Sequence, residues 1–188
     1  VDEYLSFLEK FQKQETKEKL GNPVWHVHNG KPPKEKNVIT FGVLLNLVSA
    51  SNAENEKVLW KYIKNYNSKI IKDEHPILDK LIKNAIQYFN DIVKPSKKYR
   101  SANENENKAI LDLINVLKEM PEGKEPAEIQ TEVFSVGKKY YSKDKLRDWF
   151  KAIYEIVFGD EQGPRMGSFI SFFGRKETIK LLEDSLKR

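Results

Sequence analysis

The chain has 188 residues, no cysteine, 39% hydrophobic and 32% charged residues, and a formal net charge of +5. This length can bury a core as one larger or two small domains, while the absence of thiols excludes disulfides and cysteine metal sites and leaves the cytoplasm as the default location. No apolar run approaches the roughly 20 residues of a membrane-spanning helix, and VDEYLSFLEKF at the N-terminus lacks the features of a signal peptide; beginning with Val1, the chain reads as a processed product or a fragment of something longer.

The apolar spacing is helical nearly throughout. Tyr4, Leu8 and Phe11 mark a first helix. Residues 21–33, GNPVWHVHNGKPP, read as a loop, because three prolines and two glycines do not fit a helix interior. Thr40 is placed to cap an apolar second helix, FGVLLNLVSA, and Asn52 a third carrying Val58, Leu59, Tyr62, Ile63 and Tyr66. Within the second, Asn46 requires a hydrogen-bonding partner, expected at a neighbouring helix end. Leu78, Leu81, Ile82, Ala85, Ile86, Phe89 and Val93 then describe a long amphipathic helix stopped near Pro95.

KPSKKYRSANENENK, residues 94–108, is polar and aperiodic and forms the best internal boundary. Ser101 with Glu104 fits a capping box for a helix through Ile110, Leu113, Ile114 and Leu117, broken at MPEGKEP. Pro126 suits a first helical turn leading to Ile129, Val133, Val136 and Tyr140. Ser142 is placed to cap the next helix, with Leu146, Phe150, Ile153 and Val157 on one face and Gly159 as its left-handed end. A short helix begins near Met166 and closes at Gly174, and Ile179, Leu182 and Leu186 line the last. The fold expected is all-α, a helical bundle of about eight or nine helices in two subdomains, residues 1–100 and 101–188, without a sheet.

Catalytic patterns are absent. There is no G-x-x-x-x-G-K-[ST], no G-x-S-x-G and no carboxylate pair at an apolar site. His26 and His28 would share one side of an extended segment, but no third ligand accompanies them, so no metal is expected. Residues 94–98, with three lysines and no glycine cradle, read as solvated lysines ending a helix.

The C-terminal third is different. Twelve Lys or Arg face eight Asp or Glu between residues 138 and 188, against 21 and 20 in residues 1–137. Lys138, Lys139, Tyr140, Tyr141, Lys143, Lys145, Arg147 and Trp149 interleave cations with aromatic rings, the mix that binds unpaired nucleotides by phosphate neutralisation and base stacking. The same pattern suits a helix whose Tyr140 and Trp149 are core and whose lysines face solvent. GDEQGPRMGSFISFFG, residues 159–174, then sets an arginine in a glycine-rich loop directly before a short apolar helix.

Four stretches together resemble the C-terminal half of class I lysyl-tRNA synthetases: NPVWHVHNGKPP at 22–33, ITFGVLLNLVSASNAENEKVLWKYI at 39–63, EIQTEVFSVGKKY at 128–140, and LRDWFKAIYEIVFGDEQGPRMGSFISFFG at 146–174. The resemblance implies an all-helical anticodon-binding region, an α-helix cage akin to that of bacterial glutamyl-tRNA synthetases. It implies a parent ligase that joins lysine to tRNA through a lysyl-adenylate on an ATP-dependent Rossmann-type domain. That domain's H-x-G-H and K-x-S-K-S signatures are missing here; residues 94–98 read K-P-S-K-K, depart from the second and lie on the wrong side of the helical region. The chain thus looks like the tRNA-reading part of a ligase, inactive alone and without a cofactor of its own, ATP belonging to the missing domain. Its implied partners are the anticodon loop of lysine tRNA and that catalytic domain in cis, with no membrane and as a monomer.

In the related glutamyl enzymes the loop before the last short helix touches the second and third anticodon bases. The shared order of loop, short helix and glycine carries that role to Gly163, Pro164, Arg165 and Met166, with Arg165 as the main polar contact. Two flanking glycines permit close approach, a guanidinium can donate to or stack on a base, and Phe169, Phe172 and Phe173 would anchor the loop from behind. Lys138, Lys139 and Arg147 are placed as tRNA-backbone contacts. The competing expectation is a helical scaffold or protein-interaction domain without RNA specificity, in which Arg165 pairs with Asp160 or Glu161.

Overall fold

The computed structural model describes residues 1–188 and contains helices and no strand. α1 (Asp2–Lys13) buries Leu5, Leu8 and Phe11, and two short helices follow, α2 (Thr16–Lys19) and α3 (Pro23–Val27). α3 lies inside the stretch expected to be loop. Pro23 occupies the first turn, where a missing N–H costs nothing, and Asn22 accepts from the Val24 amide at 3.0 Å as its cap.

α4 (Phe41–Ser51) starts at Thr40, whose hydroxyl accepts from the Val43 amide at 3.3 Å. α5 (Glu56–Tyr66) is capped by Asn55, not by Asn52. Asn52 takes the left-handed conformation that ends α4, with φ 48°, a role asparagine fills as well as an N-cap. α6 (Pro76–Tyr88) passes through a π-helical turn at Phe89–Val93 into α7 (Lys94–Ser96), so Pro95 sits within the last turn rather than stopping the helix ahead of it. The wider π turn shifts the carbonyl register by one residue and makes room for the ring.

α8 (Glu104–Glu119) has its capping box two residues later than Ser101 and Glu104 would put it, on Asn103 and Glu106. Glu106 is the better member because Arg100 also holds it, through two hydrogen bonds at 2.7 and 2.8 Å, while the Arg100 Nε donates to Glu155 at 2.6 Å. α9 (Pro126–Tyr140) opens on Pro126 with a Glu125–Glu128 capping box. Ser142 precedes a single 3-10 turn instead of capping a helix, then α10 (Leu146–Ile153) runs into a second π turn, Tyr154–Phe158, closed by Gly159 at φ 70°. α11 (Met166–Phe173) and α12 (Arg175–Ser185) are separated by Gly174, which has positive φ but extended ψ, outside the left-handed helical region.

One apolar core of 36 buried residues runs from Ile39 to Leu182. α11 lies inside it, packed against α9, α4, α5 and α12, as a helix apolar on all sides must be. Leu5, Leu8, Phe11 and Val24 are buried separately from that core. Trp149, expected either in the core or at an RNA surface, is fully buried, its indole donating to the Val133 carbonyl at 3.0 Å.

Trp60 is pinned on α5. Its indole donates to Asp79 at 3.0 Å, and Lys72 and Lys83 reach the same carboxylate at 3.0 and 2.9 Å. Burial alone would raise the Asp79 carboxyl, but hydrogen bonds from Lys83, Trp60 and Lys72 outweigh it and hold the group at about 2, below its ordinary 3.8. A depressed folded-state value stabilises above the unfolded value and is lost as pH falls through the folded one. The stability advantage of the parent over Asp79→Asn should therefore be constant above about pH 5 and shrink between about pH 4 and pH 2, as followed by tryptophan fluorescence during urea unfolding at each pH.

Candidate nucleic-acid interface

The segment between Gly159 and α11 is tied down at both ends. At its start Lys97, with 5% of its side chain exposed, donates to Asp160 at 3.2 Å and to the Phe158 carbonyl, and the Lys98 amide donates to the Gly159 carbonyl at 2.9 Å. The reading of residues 94–98 as solvated lysines therefore fails at Lys97. Burial pulls its ammonium below the ordinary lysine value, with Asp160 opposing. At the far end the Gly167 amide donates to Gln130 Oε1 at 2.9 Å. A Cβ on Gly167 would lie 2.1 Å from the Pro126 carbonyl oxygen and 2.7 Å from the Gln130 amide nitrogen, so only glycine lets α11 meet α9 this closely. Gly163 is pressed against Tyr154 in the same way, a Cβ there falling 2.3 Å from the ring.

Behind the loop, Phe169 meets Phe158 edge-on at 5.0 Å and stacks on Phe173 at 5.1 Å, while Phe172 stacks on Tyr66 at 4.0 Å. Phe169, Phe172 and Phe173 are all buried. The loop is thus carried on a rigid base, and ordering it on binding would cost little.

Gly163, Pro164 and Arg165 form the ridge between two clefts. One, of about 860 Å³, opens toward α4 and α6 and is lined by Asn46, Tyr88, Lys97 and Ser168 among others. The other, of about 480 Å³, opens toward α9 and α10 and is lined by Gln130, Thr131, Phe134, Phe150 and Tyr154. Both fall in the size range of small-ligand sites. Arg165 is exposed and its guanidinium has no protein partner, whereas Asp160 pairs with Lys97 and Glu161 with Lys151 at 3.4 Å. Met166 lies apart from the other three: its side chain is 1% exposed and points into the core, leaving its backbone at the start of α11.

Lys138, Lys139 and Arg147 are exposed. Lys138 continues the face of α9 that carries Gln130, Thr131 and Phe134, about 6 Å beyond Phe134 along the axis. Lys139 turns away and pairs with Asp112 on α8 at 3.0 Å, and that carboxylate raises its pKa. Both lysines also sit in the last turn of α9, where cations are favoured by the helix dipole.

Two buried side-chain polar atoms have no hydrogen-bond partner, the Asn46 Nδ2 and the Tyr154 hydroxyl, and each lines one of these clefts. The expectation that Asn46 bonds a neighbouring helix end is thereby corrected, since its Nδ2 meets no acceptor on any element. Burial pushes the Tyr154 hydroxyl well above the ordinary tyrosine pKa, so it remains a neutral donor. Tyr88, Gln130, Phe134 and Tyr154 were not singled out from the sequence; the available signal was the 130, 131, 134, 138 stripe of α9. The histidines diverge because α3 is helical: His26 bonds the Leu20 carbonyl and His28 the Tyr4 hydroxyl, both at 2.8 Å.

No protein-family model matches the chain. A lysine–tRNA ligase of Rickettsia bellii (strain OSU 85-389) is 40% identical over 188 residues, 99% of this chain and 36% of its own length. One from Roseobacter denitrificans is 39% identical over 186 residues, 99% of this chain and 35% of its own length. The chain therefore spans about a third of the length of the curated relatives it matches.

Gly167→Ala should lower stability by about 1–3 kcal/mol, because the new methyl group meets backbone that cannot step aside. Gly42→Ala is the control, since its Cβ would have 3.7 Å to the nearest atom. The urea midpoint should fall for the first and hold for the second.

Proposed function

From a chain homologous over nearly its whole length to part of the lysine–tRNA ligases, we propose a specific role: it is the C-terminal, anticodon-binding region of a class I lysine–tRNA ligase. The ridge at residues 163–166 reads uridines of the anticodon of lysine tRNA. Arg165 donates to or stacks on a base, Gly163 and Pro164 allow close approach, and Met166 contributes its backbone N–H, which has no acceptor within the first turn of α11. Lys138 and Arg147 meet phosphates, with Lys139 secondary because of its pairing with Asp112. Activation of lysine with ATP and its transfer to tRNA belong to a catalytic domain outside this chain, and the region acts in the cytoplasm within a monomeric enzyme.

The observation that carries this reading is the free guanidinium of Arg165 at the crest between two clefts. A scaffold corner would use that charge to hold itself together, with Asp160 or Glu161 as the partner within reach in sequence. Both acids are instead engaged by Lys97 and Lys151. The ridge therefore has its internal charges balanced and one cation left over. A neutral base suits such a surface better than a run of phosphates does.

Arg165→Ala should weaken binding of lysine tRNA by about 1–3 kcal/mol and erase most of the preference over the same tRNA with changed second and third anticodon bases. An equal loss for every anticodon would refute base reading. Lys138→Ala should weaken all RNAs alike and reduce the slope of log K against log salt by about 1, whereas Lys139→Ala should change it less. Fluorescence titrations at two salt concentrations measure both effects, and an unchanged slope for Lys138→Ala removes it from the interface.

A further inference from the structure

Asn46 is out of place in α4. Val43, Leu44, Leu47 and Val48 around it are buried and aliphatic, and Asn46 itself is only 8% exposed. A buried amide nitrogen without an acceptor has lost its hydration and gained nothing in return, so an aliphatic residue would serve packing better. The side chain lines the larger cleft beside the Arg165 ridge, and Tyr88, 45% exposed, lines the same cleft from the end of α6. An exposed ring and a desolvated amide lining one cleft are the pairing that holds a nucleobase, one supplying a stacking face and the other an edge contact.

The charges in this cleft are already spoken for. Asp2 caps α4, Asp160 holds Lys97, Glu161 holds Lys151, and Arg165 alone is free. The remaining lining is uncharged, polar at Thr40, Gln162 and Ser168 and apolar at Val43, Leu45, Val93 and Pro164, which favours a base over a phosphate. An asparagine amide offers a donor and an acceptor side by side, matching the O4 and N3–H of uracil in one orientation and the N3 and N4–H of cytosine when turned over, so the choice between them needs a second group at the base edge. Arg165 carries only donors and so disfavours cytosine, whose amino group would face another N–H.

Resting on the anticodon reading above, we propose that Asn46 is a specificity-determining residue: its amide reads the pairing edge of one unpaired uracil seated in the cleft between α4, α6 and residues 160–165, with Tyr88 as the stacking face. Unlike the ridge, which the neighbouring loop sequence announces, this contact comes from a helix more than a hundred positions earlier in the chain.

The test uses an anticodon stem–loop RNA with three consecutive uridines and its three single uridine-to-cytidine versions. Each is titrated with the parent chain, Asn46→Leu, Asn46→Asp and Arg165→Ala. The parent should prefer uridine, and Asn46→Leu should erase the preference at one position, by about tenfold or more, while leaving the others. Its thermal midpoint should equal or exceed the parent's, separating lost recognition from lost folding. Asn46→Asp, which keeps the shape but replaces the donor by an acceptor, should lose the same position. If both Asn46 variants keep the uridine preference at all three positions while Arg165→Ala loses it, the Asn46 assignment is wrong and the anticodon reading stands. If the parent itself shows no preference, both fall together.

Discussion

Everything near the candidate site depends on how closely α11 approaches α9. Gly167 places the two helices backbone against backbone, with the Pro126 carbonyl and the Gln130 amide where any side chain would have to go. Because that contact is set by main chain rather than by adaptable side chains, it fixes the height and angle at which α11 begins. The Gln130 side chain then caps the Gly167 amide, and residues 163–165 have to leave from that fixed point. On its other faces α11 packs on α4 and α5. The same short helix therefore decides both where the ridge stands and which helices form the walls on either side of it.

The second anchor is electrostatic. Lys97 is buried against the end of the π turn and holds Asp160 and the Phe158 carbonyl together, so the polar start of the loop is fixed by a cation while its end is fixed by a glycine. Desolvating an ammonium is costly unless it is fully paired, and here it is met by a carboxylate and a main-chain oxygen. A loop held in this way presents Arg165 without needing Arg165 for its own stability. The tasks are thus separated, one lysine serving structure and one arginine left exposed.

Most helices were legible in the sequence because their apolar spacing is local, and the sites where the reading slipped share a physical cause. SNAEN and RSANEN each offer several residues able to cap a helix, and the choice among them depends on contacts far away: Glu106 is selected by Arg100 and Glu155, not by its spacing from Ser101. Trp149 sits among lysines in sequence, yet turns inward against α9, because a pattern of alternating cations and rings does not say which face is buried. The ridge itself was readable from its glycines, proline and arginine. Its walls were not, since Asn46, Tyr88 and Tyr154 reach it from separate helices and only the packing of α11 assembles them.

The two unpartnered polar atoms bring these points together. Among the buried side-chain nitrogens and oxygens, the Asn46 Nδ2 and the Tyr154 hydroxyl are the two without a partner, and both residues border the ridge. Unsatisfied buried polar groups are a cost that packing alone would remove, since leucine and phenylalanine fill similar space. Tyr154 in addition lies in a π turn, a feature that tends to mark functional positions because it gives up helical regularity. Neither residue improves the core it sits in. Each lines a cleft on one side of Pro164 and Arg165, and nothing within the chain supplies the hydrogen bond it lacks.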